Sequence, residues 1–185
     1  MHTNILIGDL IKYNSRYLLK KLGGIDKSKL FIRPNHNLNP LIWIFGHIVF
    51  SRADMVELMG LDPQAGELAE FFASGTFPRN DPAEYPHIDE LAASLERLGD
   101  QIADLLHEGG DKLLSRRAWG KYDTVGKHIV SGYIHEGYHV GEINYLNNLL
   151  DKGYLNSSRL NLATRKKNST GKILLDNLKS VLTVK

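Results

Sequence analysis

Two histidines, His135 and His139, stand four residues apart. On a helix that spacing puts both side chains on one face, with Cβ atoms about 5–6 Å apart. Two imidazoles so placed can share one ion, since a Zn–N bond is about 2.0–2.1 Å long. By itself the pair also fits a solvated helix face. Ile143, Leu146 and Leu150 continue the same side of the pattern, however, so the pair is expected to face an interior, where a buried imidazole needs a partner. His47 follows Gly46 within the apolar stretch Trp43 to Phe50. Alone it reads as a hydrogen-bonded core histidine; beside the pair it becomes the third ligand from a facing helix. His128 lies two turns before His135, roughly 10 Å along the axis, too far to share the ion. His2, His36, His87 and His107 fall in termini, loops or helix ends and read as solvated.

The chain has 185 residues and no cysteine, which removes disulfides, thiolate ligands and cysteine nucleophiles. Three neutral histidines leave coordination positions open, as in catalytic rather than closed structural sites. A nitrogen-only set suits zinc, nickel or another late divalent ion. Such an ion would lower the pKa of a water or other ligand in the open position.

These residues need helices to hold them, and the apolar periodicity is helical almost throughout. Leu6, Leu10, Tyr13 and Tyr17 predict a first helix from about Asn4 to Leu22, ended by Gly23-Gly24. Asn39 as a cap and Pro40 at the first helical position open a second helix through Leu41, Ile44, Ile48 and Met55 to Gly60. A long connection containing Gly66, Gly75, Pro78, Asn80, Asp81 and Pro82 follows. Ile88, Leu91, Leu95, Leu98, Ile102 and Leu105 define a third helix, ended by Gly109-Gly110. A fourth begins near Asp123-Thr124 and runs to Gly153. Four amphipathic helices of similar length make an all-α four-helix bundle the economical architecture, with a crossover in the long second-to-third connection.

Charge divides the chain into two parts. Residues 1–151 carry 15 Lys+Arg against 20 Asp+Glu, a net of −5, whereas residues 152–185 carry 8 against 1, a net of +7. The expected organisation is a bundle over 1–151 and a basic C-terminal extension over 152–185, with a short amphipathic helix through Leu174, Leu178 and Val181. A nucleic-acid role is disfavoured, because the tail has few aromatics and a negative body repels phosphates. The N-terminus lacks the layout of a signal peptide, and the longest apolar run, Leu41 to Phe45, is too short to span a bilayer. Cytoplasmic placement and no membrane are expected.

The segment His135-Glu136-Gly137-Tyr138-His139-Val140-Gly141-Glu142-Ile143 resembles the His-x-x-Tyr-His-x-Gly-Gln-Ile signature of the DinB/YfiT-like superfamily. Asn39 to Ile48 is similar to the helix carrying that family's first metal histidine, and Phe71-Phe72-Ala73-Ser74-Gly75 also matches its pattern. The resemblance covers about residues 1–151. It implies an up-down-down-up bundle with a divalent metal on His47, His135 and His139, frequent homodimers, and often transfer of a low-molecular-weight thiol to an electrophile. Glu142 stands where the family commonly has glutamine. It could orient a ligand histidine as a hydrogen-bond acceptor, or be an exposed helix carboxylate.

The leading functional expectation is a metal-dependent thiol S-transferase acting on a small-molecule substrate, with Trp43 and Phe50 as pocket walls. The rival is a binding protein whose metal is structural. Whether the chain is an enzyme at all stays open at this point.

Overall fold

The computed structural model describes residues 2–35, 37–118 and 120–151. The basic extension with Leu174, Leu178 and Val181, and also His36, lie outside the described residues. Helix α1 spans Thr3–Gly23, α2 Leu41–Met59, α3 Leu68–Phe72, α4 Ile88–Ser115 and α5 Val125–Asp151, with single 3-10 turns at Lys27–Lys29 and Pro82–Glu84. No strand occurs among the described residues. No described helix is long and apolar enough to cross a membrane.

The long helices α1, α2, α4 and α5 form the bundle. Pairs along α1 and α4 run in opposite directions: Asn4 Nδ2 donates to the Leu106 carbonyl at 2.8 Å, and Lys12 pairs with Asp100 at 3.2 Å. The same holds for α2 and α5, where His47 lies against His139 and Met55, two turns further along α2, lies against Gly132. Helices α2 and α4 run parallel, because Arg52 reaches the Leu95 carbonyl and Arg116, past the end of α4, reaches that of Leu58 near the end of α2. The course is therefore up-down-down-up. The parallel step from α2 to α4 is what the long connection serves, and α3 is folded within it.

Helix α2 is the central element. Its residues from Leu41 to Val49 are all buried, as expected of a helix that is apolar on every side. Pro40, rather than Asn39, occupies its N-cap position, and no side chain caps the helix. The residue before a proline is pushed towards extended geometry, so the helical turn begins one residue later than the sequence pattern indicates. Gly60 closes α2 in the left-handed conformation, with φ of 99°, a backbone state glycine adopts without a side-chain clash.

Two elements differ from their sequence reading. The stripe Leu6, Leu10, Tyr13 and Tyr17 is not the buried face of α1, since Leu6 is 39% and Tyr13 61% exposed. The buried face is instead Asn4, Gly8, Ile11, Ser15 and Leu18. Small residues let α1 lie close on α4, where a Cβ on Gly8 would sit 3.2 Å from the Ala103 Cα. The polar members face inward because partners wait there, namely the Leu106 carbonyl for Asn4 and the Arg52 guanidinium for Ser15. In α4, Gly110 does break the helical geometry, at φ 53° and ψ −149°, but the chain resumes helix to Ser115. The sequence marks the kink correctly and places the end of the helix too early.

The bundle is tied through Arg52, which is fully buried. Its Nε and one terminal nitrogen donate to both oxygens of Glu136 at 2.8 and 2.7 Å. Its remaining donors reach Ser15 Oγ at 2.6 Å, the Leu95 carbonyl at 2.9 Å and the Ile11 carbonyl at 3.2 Å. All five N–H groups of the guanidinium are thus used, and α1, α2, α4 and α5 meet on one side chain. Removing one partner of such a pair leaves the other charged and buried, which costs about 3–5 kcal/mol. Arg52→Met should lose that much stability in denaturant unfolding, whereas Arg52→Met combined with Glu136→Leu should lose distinctly less. Equal losses in the two variants would show that the charge pair is not what the single change disturbs.

Candidate metal centre

Three imidazoles converge where α2 faces α5. His47 Nε2 lies 3.0 Å from His135 Nε2, which lies 3.1 Å from His139 Nε2. The ligand-type nitrogens of the three residues all fall within 4.8 Å of one another. Two imidazole nitrogens on one tetrahedral zinc would be about 3.3 Å apart, given Zn–N bonds near 2.05 Å.

The tautomers follow from the other ring nitrogens. His47 Nδ1 donates to the Phe72 carbonyl at 2.6 Å, and His139 Nδ1 donates to Glu142 Oε2 at 2.6 Å. With the proton held on Nδ1, each Nε2 carries a bare lone pair aimed at His135. One proton on His135 Nε2 can serve only one of these lone pairs, whereas a cation between the rings serves both. Ring nitrogens oriented by a carbonyl and a carboxylate are the usual outer arrangement of metal-binding histidines. The donor set therefore fits a divalent ion, with His47, His135 and His139 as the residues that would hold it.

Local sequence explains each position. Trp43 stacks on His47, with ring centroids 5.0 Å apart and planes at 9°. Gly46 makes room for α3: a Cβ there would lie 2.3 Å from the Phe72 ring. Phe72 can therefore press against α2 and bring its carbonyl to His47. Glu142 is the acceptor for His139, and so takes the first of the two roles open to it in the sequence. The Tyr138 hydroxyl hydrogen-bonds to the same carboxylate, and that bond and the negative charge raise its pKa.

Two sequence expectations need correction. His139 is buried, but His135 is exposed, so only one member of the pair lies in the interior and the other forms the rim of the cluster. Trp43 does not wall an open pocket either; it is 5% exposed, stacked on His47, with its indole N–H donating to Thr76 Oγ1 at 3.1 Å. His128 stays outside the cluster, its Nε2 against the Tyr122 carbonyl at 2.8 Å, as its spacing predicts. His87 and His107 are exposed.

A bundle of four long helices with three histidines converging between its second and last long helices has the donor set of a bundle able to hold a metal ion. The family model of the DinB superfamily matches residues 11–143, and the chain belongs to that superfamily. No curated protein and no solved structure matches the chain.

Burial lowers the pKa of His47, and also that of His135, whose ring packs against the other two. A histidine of lowered pKa takes up its proton later in the folded than in the unfolded chain. As pH falls below about 6.5 the unfolded state binds more protons, so stability falls with it. In metal-free protein the two histidines should contribute a loss of stability on acidification below about pH 6.5, set against the opposite contribution of Asp54, whose pKa is raised to about 6. His47→Gln should flatten that slope in a pH series of denaturant curves; an unchanged slope would place the titration elsewhere.

Proposed function

We propose that the chain is a metal-dependent enzyme in which His47, His135 and His139 hold a divalent ion, zinc or nickel, and which transfers a low-molecular-weight thiol to a small electrophile. The observation carrying this reading is the meeting of three Nε2 atoms, with the opposite nitrogens of His47 and His139 already engaged by Phe72 and Glu142. The superfamily supports the transfer chemistry as an expectation. Three protein ligands with His135 on the solvent side support an open position, since closed structural sites use four protein ligands.

When bound, the ion supplies Lewis acidity that lowers the pKa of a thiol or water brought to it. The chain's own residues do the rest. Phe72 and Glu142 fix the imidazole orientations, and Trp43 and Phe72 exclude water from the His47 side. Glu142 also sets a negative charge against His139, which strengthens that ring as a donor.

Metal-loaded protein should consume a small electrophile only in the presence of a thiol, with a rate that rises with pH through the thiol's titration. His139→Ala should abolish turnover with little loss of folded protein. Glu142→Ala should retain the fold and weaken metal affinity by about 10–100-fold, whereas Glu142→Gln, which keeps an acceptor for His139, should lose less. Full activity in metal-stripped protein would sink the mechanism, and tight metal retention without any thiol-dependent turnover would leave a structural metal site.

A further inference from the structure

Beside His135 opens a cleft of about 510 Å³, lined by Ser51, Asp54, Met55 and Leu58 of α2, by Tyr122, and by His128, Ser131 and Gly132 of α5. Sites for small molecules span roughly 300–1,000 Å³. The cleft floor is where α2 and α5 pinch together: a Cβ on Gly132 would lie 2.1 Å from the Met55 Cε. Its upper edge is the α4–α5 connection, closed by the backbone pairing of Arg117 with Thr124. Tyr122 is held there, its hydroxyl accepting from Ser131 Oγ at 2.8 Å and its carbonyl meeting His128. His135 belongs to both the cleft and the histidine cluster.

Asp54 is the unmatched group in this lining. Among the described residues, no hydrogen bond or ion pair holds its carboxylate, and the one neighbouring charge acting on it is Glu57, of the same sign. Lys121, the cation on the rim, is engaged with Tyr122, lying 5.3 Å from its ring centroid and hydrogen-bonding to its hydroxyl. Although Asp54 is open to the cleft, the surrounding protein removes enough water to raise its pKa to about 6, with the Glu57 charge adding to the effect. Asp54 is exposed within the cleft, and a carboxylate there that lacks a counter-charge among the described residues is matched by a cationic hydrogen-bond donor.

We propose that this cleft is the subsite for the tail of a metal-directed substrate, and that it selects a protonated amine through Asp54. The inference rests on the metal-centre reading above. Asp54 follows His47 by seven residues, and Ser131 precedes His135 by four. The anchor and the centre are therefore about 10 Å apart along α2, so the ligand class is a small molecule with an ammonium group at one end and its reacting group at the other.

The test uses metal-loaded full-length protein and two probe series, ω-aminoalkanethiols and ω-hydroxyalkanethiols of matched chain length. Thiol sulfur is a good ligand for late divalent ions, so both series can anchor at the centre and differ only at the tail. Calorimetric titration should show the amine series binding about tenfold or more tightly, equivalent to about 1.4 kcal/mol, with an optimum chain length. Asp54→Asn should erase that preference while metal content and the circular dichroism spectrum stay unchanged. Equal binding of the two series by metal-loaded wild type would overturn the amine subsite and leave the metal centre standing, as would a preference that survives Asp54→Asn. Failure to take up metal at all would overturn the reading on which the subsite rests.

Discussion

The Arg52–Glu136 pair, sealed from water between all four long helices, sets the rotation of α5 and through it everything at the site. Successive residues on an α-helix turn by about 100°. With Glu136 directed at the Arg52 guanidinium, His139 lies about 60° to one side of that direction and His135 about 100° to the same side. Both therefore lean towards His47, and His135 leans furthest from the bundle axis. That is why one of the pair is buried and the other stands at the surface. A rotation of α5 by one residue would bury a histidine against apolar neighbours and strand Glu136, each a change of several kcal/mol. The ion pair is thus a registry device as much as a source of stability.

The cluster itself works by engaging protons on its outer side. Phe72 and Glu142 occupy the Nδ1 positions of His47 and His139, so those two rings present lone pairs inward rather than donors. Burial opposes protonation of His47 and His135, because a charged imidazolium is disfavoured where water is removed, and it thereby keeps the rings in the neutral form that a metal ion binds. Gly46 is the small residue on which this depends, because any side chain there would displace Phe72, and with it the carbonyl that fixes the His47 tautomer.

The apolar periodicity of α2, α4 and α5 was legible because those helices bury continuous hydrophobic stripes, and the histidine spacing was legible because it is local. The buried face of α1 was not, since Asn4, Gly8 and Ser15 carry no hydrophobic signal and are recognisable only through partners supplied by other helices. Arg52 and Glu136 offered a faint signal. Arg52 interrupts the stripe of Ile48 and Val56 on α2, and Glu136 sits midway between Ile129 and Ile143 on α5. One lone charge of each sign in two core stripes suggests a buried pair. Asp54, Tyr122 and the Phe72 carbonyl were silent, because an exposed acid, a loop tyrosine and a backbone oxygen acquire meaning only from what the fold sets beside them.

That division has a physical consequence for how the site can recognise anything. The histidine cluster and the adjoining cleft are built on the same two helices, with His47, Ser51 and Asp54 on α2 and Ser131 and His135 on α5. Helix rise fixes the distances along each, and the Gly132–Met55 contact fixes the spacing between them. The remaining wall, the α4–α5 connection, is held by a backbone bridge and by the Tyr122–Ser131 and His128–Tyr122 hydrogen bonds. A site assembled from regular elements and a bonded turn orders little on binding, so less of the interaction free energy is lost to organising the protein. Selectivity then falls to the ligand's length and end-group charge, because the protein side of the fit is set by backbone geometry.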